Sequence, residues 1–102
     1  MKLKLCPDYF SSPLWRMDGL NGDESPEIDP SELQISYELI DDLWRWASEY
    51  DATLNTDDPP NSGFLSIDDE FKFKRRGAEL AEKLRKELSG KAIIKYYYDH
   101  EV

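Results

Sequence analysis

Residues 66–98 read SIDDEFKFKRRGAELAEKLRKELSGKAIIKYYY, and this run decides the fold class because its hydrophobic period changes partway along. Up to Leu88, the positions Phe73, Gly77, Leu80, Ala81, Leu84 and Leu88 recur at the spacing of one buried helix face. Ser66 is placed to cap the amide near Asp69, and Asp68, Asp69 and Glu70 set carboxylates against the positive end of the helix dipole. Gly90, after Leu88-Ser89, is the residue that lets the chain leave the helix. From Lys91 to Tyr98 the period becomes two: Ala92, Ile94, Tyr96 and Tyr98 share one face, and Ile93, Lys95 and Tyr97 the other, which predicts a strand. Gly77 costs about 1 kcal/mol relative to Ala inside an exposed helix, so its presence predicts close helix approach, beneath Trp44 or Trp46.

The same stripe occurs earlier in the chain. Leu39, Leu43, Trp46, Ala47, Tyr50 and Leu54 predict a helix from about Tyr37 to Thr53, capped by Ser36 and carrying Asp41 and Asp42 in its first two turns. Ser31 and Gln34 also spell a capping box, but the β-branched, non-periodic Ile35 disfavours an earlier start. Between the helices, Asp57-Asp58-Pro59-Pro60-Asn61-Ser62-Gly63 is a chain of breakers that forces a reversal. Before them, Lys2 to Tyr9 alternates weakly and predicts a short strand ended by Pro7, and Leu14 to Met17 a second extended piece. Two amphipathic helices need an apolar sheet face to cover their stripes. The expected architecture is therefore α/β of the α+β kind, a two-layer sandwich with two helices on a two- or three-stranded sheet in which the first and last strands pair. One compact domain spanning residues 1–102 is expected, with an acidic loop at about residues 18–30.

The chain of 102 residues carries 22 acids and 13 bases, for a net charge of −9. The charge is segregated: net −13 over residues 1–71, +6 over residues 72–95 and −2 beyond. Such a balance opposes general affinity for nucleic acid or anionic lipid and favours a basic protein partner. The bases cluster on the second helix, from Lys72 to Arg76 and at Arg85-Lys86, where Glu79, Glu82 and Glu87 are placed to pair with them. Pro7 and Asp8 cut the first apolar stretch short of a signal peptide, and no run is long enough to span a bilayer, so the expected location is cytoplasmic.

Catalytic patterns are missing. His100 is the one histidine, Cys6 the one cysteine, in a strand-like stretch where a buried thiol is the default, and there is no phosphate-binding glycine loop. Paired carboxylates such as Asp41-Asp42, Asp57-Asp58 and Asp68-Asp69 are explained by caps and turns. Residues 58–69 imitate a calcium loop, with Gly63 at its sixth place, but Pro60 stands where an oxygen ligand is needed and Asp69 replaces the bidentate Glu. The reading is a protein without enzymatic activity, cofactor or metal. Trp44 and Trp46 lie about 200° apart on the helix wheel, so one of them is half exposed and available as an interface anchor.

Cys-Pro-Asp-Tyr-Phe-Ser-Ser-Pro-Leu-Trp (6–15), Leu-Trp-Arg-Trp-Ala-Ser-Glu-Tyr-Asp-Ala-Thr-Leu-Asn (43–55), Asp-Asp-Pro (57–59) and Ser-Gly-Phe (62–64) resemble a group of small bacterial proteins of mostly unassigned activity. In size, acidity and helix–strand pattern the chain is also similar to immunity proteins of bacterial toxin systems, including contact-dependent inhibition. That resemblance implies neutralisation of a toxin domain. Carboxylates suit a basic nuclease groove, and the residues expected to carry the contact are Asp18, Asp23, Glu24, Asp57 and Asp58, with Trp15, Trp44 and Phe64 as apolar anchors. The competing reading is a housekeeping or regulatory interaction module, monomer or weak dimer, in which the acids serve solubility and the exposed tyrosines of the last strand join two copies.

Overall fold

The computed structural model describes residues 2–17, 27–54, 63–64 and 66–97. They form, in chain order, strands β1 (Lys2–Leu5), β2 (Leu14–Arg16) and β3 (Glu27–Ile28), a 3-10 turn at Pro30–Glu32, helices α1 (Tyr37–Asp51) and α2 (Ile67–Glu87), and strand β4 (Ile93–Tyr96). The sheet order is β3-β2-β1-β4, with β1–β2 and β2–β3 antiparallel and β1–β4 parallel. The first and last strands pair as expected, but the sheet has four strands rather than two or three. The added strand, β3, lies inside the segment expected to be an acidic loop as far as Pro30. Residues 18–26 of that segment lie outside the described residues.

Side chains create β3 where the sequence shows little periodicity. Ser12 donates its backbone N–H to Glu27 Oε1 and its hydroxyl to the carbonyl of Ile28, and Leu14 N–H donates to Ser12 Oγ at 3.2 Å. A buried serine thus stitches β2 to β3. The capping box that follows is Asp29 with Glu32 rather than Ser31 with Gln34: Asp29 accepts from Ser31 N–H, and Glu32 accepts from Asp29 N–H at 3.2 Å. The backbone and hydroxyl donors of Ser31 hold the Asp29 carboxyl below its ordinary value.

Both helix starts follow the sequence. Ser36 Oγ accepts Leu39 N–H at 3.2 Å, and Ser66 Oγ accepts Asp69 N–H at 3.1 Å. The helices run antiparallel: Ser36 N–H donates to Glu87 Oε1 at 2.6 Å, Lys83 meets Asp42 at 3.8 Å, and Arg76 meets Glu49 at 2.7 Å. α1 ends at Asp51, two residues before the predicted Thr53, because Thr53 folds back to donate its hydroxyl to Tyr50 O at 2.6 Å. Gly90 takes φ +77°, the left-handed conformation of a helix exit. β4 is shorter than the predicted Lys91 to Tyr98, since Lys91 and Ala92 still bond to the carbonyl of Leu88; Tyr98 lies outside the described residues.

The core is the single layer between helices and sheet. Leu3, Leu5, Leu14, Ile28 and Ile94 from the sheet meet Leu39, Leu43, Trp46 and Tyr50 from α1 and Phe73, Leu80, Leu84 and Leu88 from α2. Cys6 is buried beside them, as expected. Aromatic rings stack through this layer: Tyr9 on Tyr50 at 4.6 Å, Tyr50 on Phe73 at 5.8 Å, and Phe73 on Trp46 at 4.6 Å. Trp46 Nε1–H donates to Phe73 O at 3.0 Å. A Cβ at Gly77 would lie 2.5 Å from Trp46 Cζ2 and even closer to the Tyr96 hydroxyl. The glycine therefore makes room for the indole of Trp46, one of the two tryptophans predicted above it, and for Tyr96 as well.

The opposite face of the sheet has no helix on it among the described residues. Register aligns Glu27, Trp15, Lys4 and Lys95 in one row across the four strands. Ile93 and Tyr97 flank Lys95 on the same side of the pleat and are 63% and 41% exposed. Trp15 donates its indole N–H to Cys6 O at 3.2 Å, and the Lys4 ammonium sits 5.6 Å from its ring centroid, a cation–π contact.

Candidate partner-binding site

The expected anchors do not converge. Trp15 is on the open sheet face, Trp44 on the outer flank of α1 at 37% exposure, and Phe64 packs against Phe73 with ring centroids 5.0 Å apart. Asp18, Asp23, Glu24, Asp57 and Asp58 lie outside the described residues. Their described neighbours fall at opposite ends of the sandwich. Met17 N–H bonds to Lys2 O, at the start of β1. Leu54 follows the end of α1, where Phe10 N–H donates to Asp51 Oδ1 and Tyr9 stacks on Tyr50, so it belongs to the end where β1 finishes.

At that second end, the last turn of α1 and the first turns of α2 diverge around a cleft of about 570 Å³ lined by Glu49, Leu54, Phe64, Asp69, Lys72 and Arg76, among others. Helix pairing builds it: Glu49 on α1 meets Arg76 on α2, whose face also carries Asp69 and Phe73 at i−7 and i−3, and the return of the chain at Gly63 lays Phe64 over Phe73. Gly63 N–H is bonded to Thr53 O at 3.0 Å, which fixes that return. The walls are apolar at Leu54, Phe64 and Phe73, while the rim carries two carboxylates and two bases. Arg76 occupies Glu49 Oε1, but Glu49 Oε2 is buried with no hydrogen-bond partner among the described residues. Of the expected site residues, Phe64 is in this cleft, and Asp57 and Asp58 belong to the segment between two of its lining residues, Leu54 and Gly63.

Sequence reading missed three exposed apolar residues at this end: Phe10, 74% exposed, Ile67, 87% exposed, and Phe71, 64% exposed. Ile67 and Phe71 were findable, since they stand four apart and off the inner stripe of α2. Phe10 gave no such signal; its φ of +55° belongs to the left-handed region, uncommon for an aromatic residue, and Asp51 holds it there. Of the basic residues on α2, Arg75 pairs with Glu79 at 3.9 Å and Arg85 with Glu82, in line with the expected pairing along the helix.

Among the described residues there is no group of acids, histidines or cysteines arranged to hold a metal ion, and no helix is long and apolar enough to cross a membrane. No curated protein matches the chain. A family model described as Serratia CdiI immunity protein-like matches residues 1–99, nearly the full length, and so the chain belongs to that family of contact-dependent inhibition immunity proteins.

Proposed function

We propose that this immunity protein neutralises a basic toxin domain, of the kind that cleaves nucleic acid, by engaging its positive groove with the inter-helix cleft and the acids around it. The observation that carries the reading is Phe64 in a cleft whose rim holds Glu49 and Asp69, joined on both sides to the segment that contains Asp57 and Asp58. A Lys or Arg of the toxin has an apolar stem that fits along Phe64 and Leu54 and a charged head that suits the carboxylates. Rotation of Arg76, whose side chain is 48% exposed, releases Glu49 Oε1 to that donor. The remaining acids, Asp18, Asp23 and Glu24 included, supply long-range attraction, which raises encounter rates to as much as about 10⁸–10⁹ M⁻¹s⁻¹ at low salt.

The test is binding kinetics with the toxin domain encoded beside this protein. Asp57→Lys with Asp58→Lys should slow association by about tenfold at low salt, with the deficit shrinking as salt rises. Phe64→Ala should raise the dissociation rate by about tenfold, more than Trp44→Ala or Trp15→Ala, whose side chains lie away from the cleft. Salt-independent binding that survives the double charge reversal would sink the acidic-surface mechanism.

A further inference from the structure

The open face of the sheet carries charge opposite in sign to the net charge of the chain. Lys4 and Lys95 are direct cross-strand partners, and like charges placed so are destabilising. Neither ammonium meets a carboxylate among the described residues; that of Lys4 lies over the Trp15 ring. Lys2 adds a third base on the same face of β1, and Glu27, at the far edge, already accepts the Ser12 N–H. Around the lysines stand Trp15, Ile93 and Tyr97, the last two well exposed. A cationic strip edged with aromatic and aliphatic surface persists on a chain of net charge −9.

From this juxtaposition we infer that the outer face of the sheet is a second docking surface, which binds an acidic polypeptide segment across Lys4 and Lys95 with its apolar side chains on Tyr97 and Ile93. A symmetric face-to-face pair of this chain is disfavoured, because it would set one lysine strip against another. Single-stranded nucleic acid is the weaker fit: a stacking platform needs successive free aromatic faces, and with the Lys4 ammonium over the Trp15 ring this surface offers Tyr97 alone. The surface faces away from both helices, so it is separate from the inter-helix cleft.

The probe is a short poly-L-glutamate added to the whole protein, with backbone amide and indole NMR shifts and affinity as readouts. Shifts should concentrate at Lys4, Trp15, Lys95 and Tyr97. Lys95→Glu should weaken binding by about tenfold, and because it places a carboxylate opposite Lys4 it should leave the melting temperature unchanged or higher, which separates lost binding from lost folding. Lys86→Glu, on exposed α2, should bind as the unmodified protein does. The inference is overturned if polyglutamate fails to bind, or if Lys86→Glu costs as much as Lys95→Glu. It is also overturned if an oligodeoxythymidylate binds more tightly than polyglutamate, or if sedimentation shows self-association that Lys95→Glu abolishes.

Discussion

Gly77 shows how much one side chain's absence can decide. Replacing glycine with alanine in a helix ordinarily gains about 1 kcal/mol, yet here the added methyl group would collide with Trp46 and Tyr96. Overpacking of this kind costs about 1–3 kcal/mol, so Gly77→Ala should lower the urea midpoint despite better helix propensity. Tyr96, the neighbour that makes the space tight, donates its hydroxyl to Lys74 O at 2.8 Å. Burial, and secondarily the nearby Cys6 thiol when ionised, push its phenol well above the ordinary value. The folded state therefore keeps a proton that the unfolded chain gives up above about pH 10. The contribution is intact below that pH and is lost as pH climbs towards the folded value. Urea midpoints compared between roughly pH 8 and pH 11 should fall less in Tyr96→Phe than in the parent, though the variant starts lower by about 1 kcal/mol for the missing hydrogen bond.

Among the elements, the helices were legible almost to the residue, because a serine cap and a repeating stripe are local signals that tertiary contacts merely confirm. The strands were legible in proportion to their length. β4 announced itself through β-branched and aromatic residues, whereas β3 has two residues and depends on Ser12 and Glu27, a contact across fifteen positions that no local window contains. The cleft was legible only through Phe64; Asp69 is explained in the sequence by the dipole of α2, and Glu49 carries no signal of its own, because the facing of the two helices is not a local property. Edge protection was invisible for the same reason. β4 lies at the rim of the sheet, and Tyr97 N–H bonds inward to Leu5 O, so the alternate carbonyl of Ile94 points outward. Arg85 takes that carbonyl through Nε at 3.2 Å and Nη2 at 3.1 Å. An open edge invites pairing with another chain, and Arg85→Ala should accordingly give concentration-dependent association in sedimentation velocity where the parent sediments without it.

For the whole molecule, net charge is a poor guide to any one surface. The acids gather before and at the start of each helix, bases run along α2, and the sheet turns outward a lysine couple that meets no carboxylate among the described residues, so a single chain presents contrasting fields on different sides. Pairing of β1 with β4 has a consequence in time as well as in space. Leu3 and Ile94 are partners, so roughly ninety residues must be closed into a loop before the central strand gains its second neighbour, an arrangement that slows folding. During synthesis the sheet stays incomplete until β4 has left the ribosome, and with it the tyrosine that fills the space at Gly77. A newly made copy thus leaves one side of β1 unpaired until the chain has been made past β4, an interval in which that bare edge can pair with another chain.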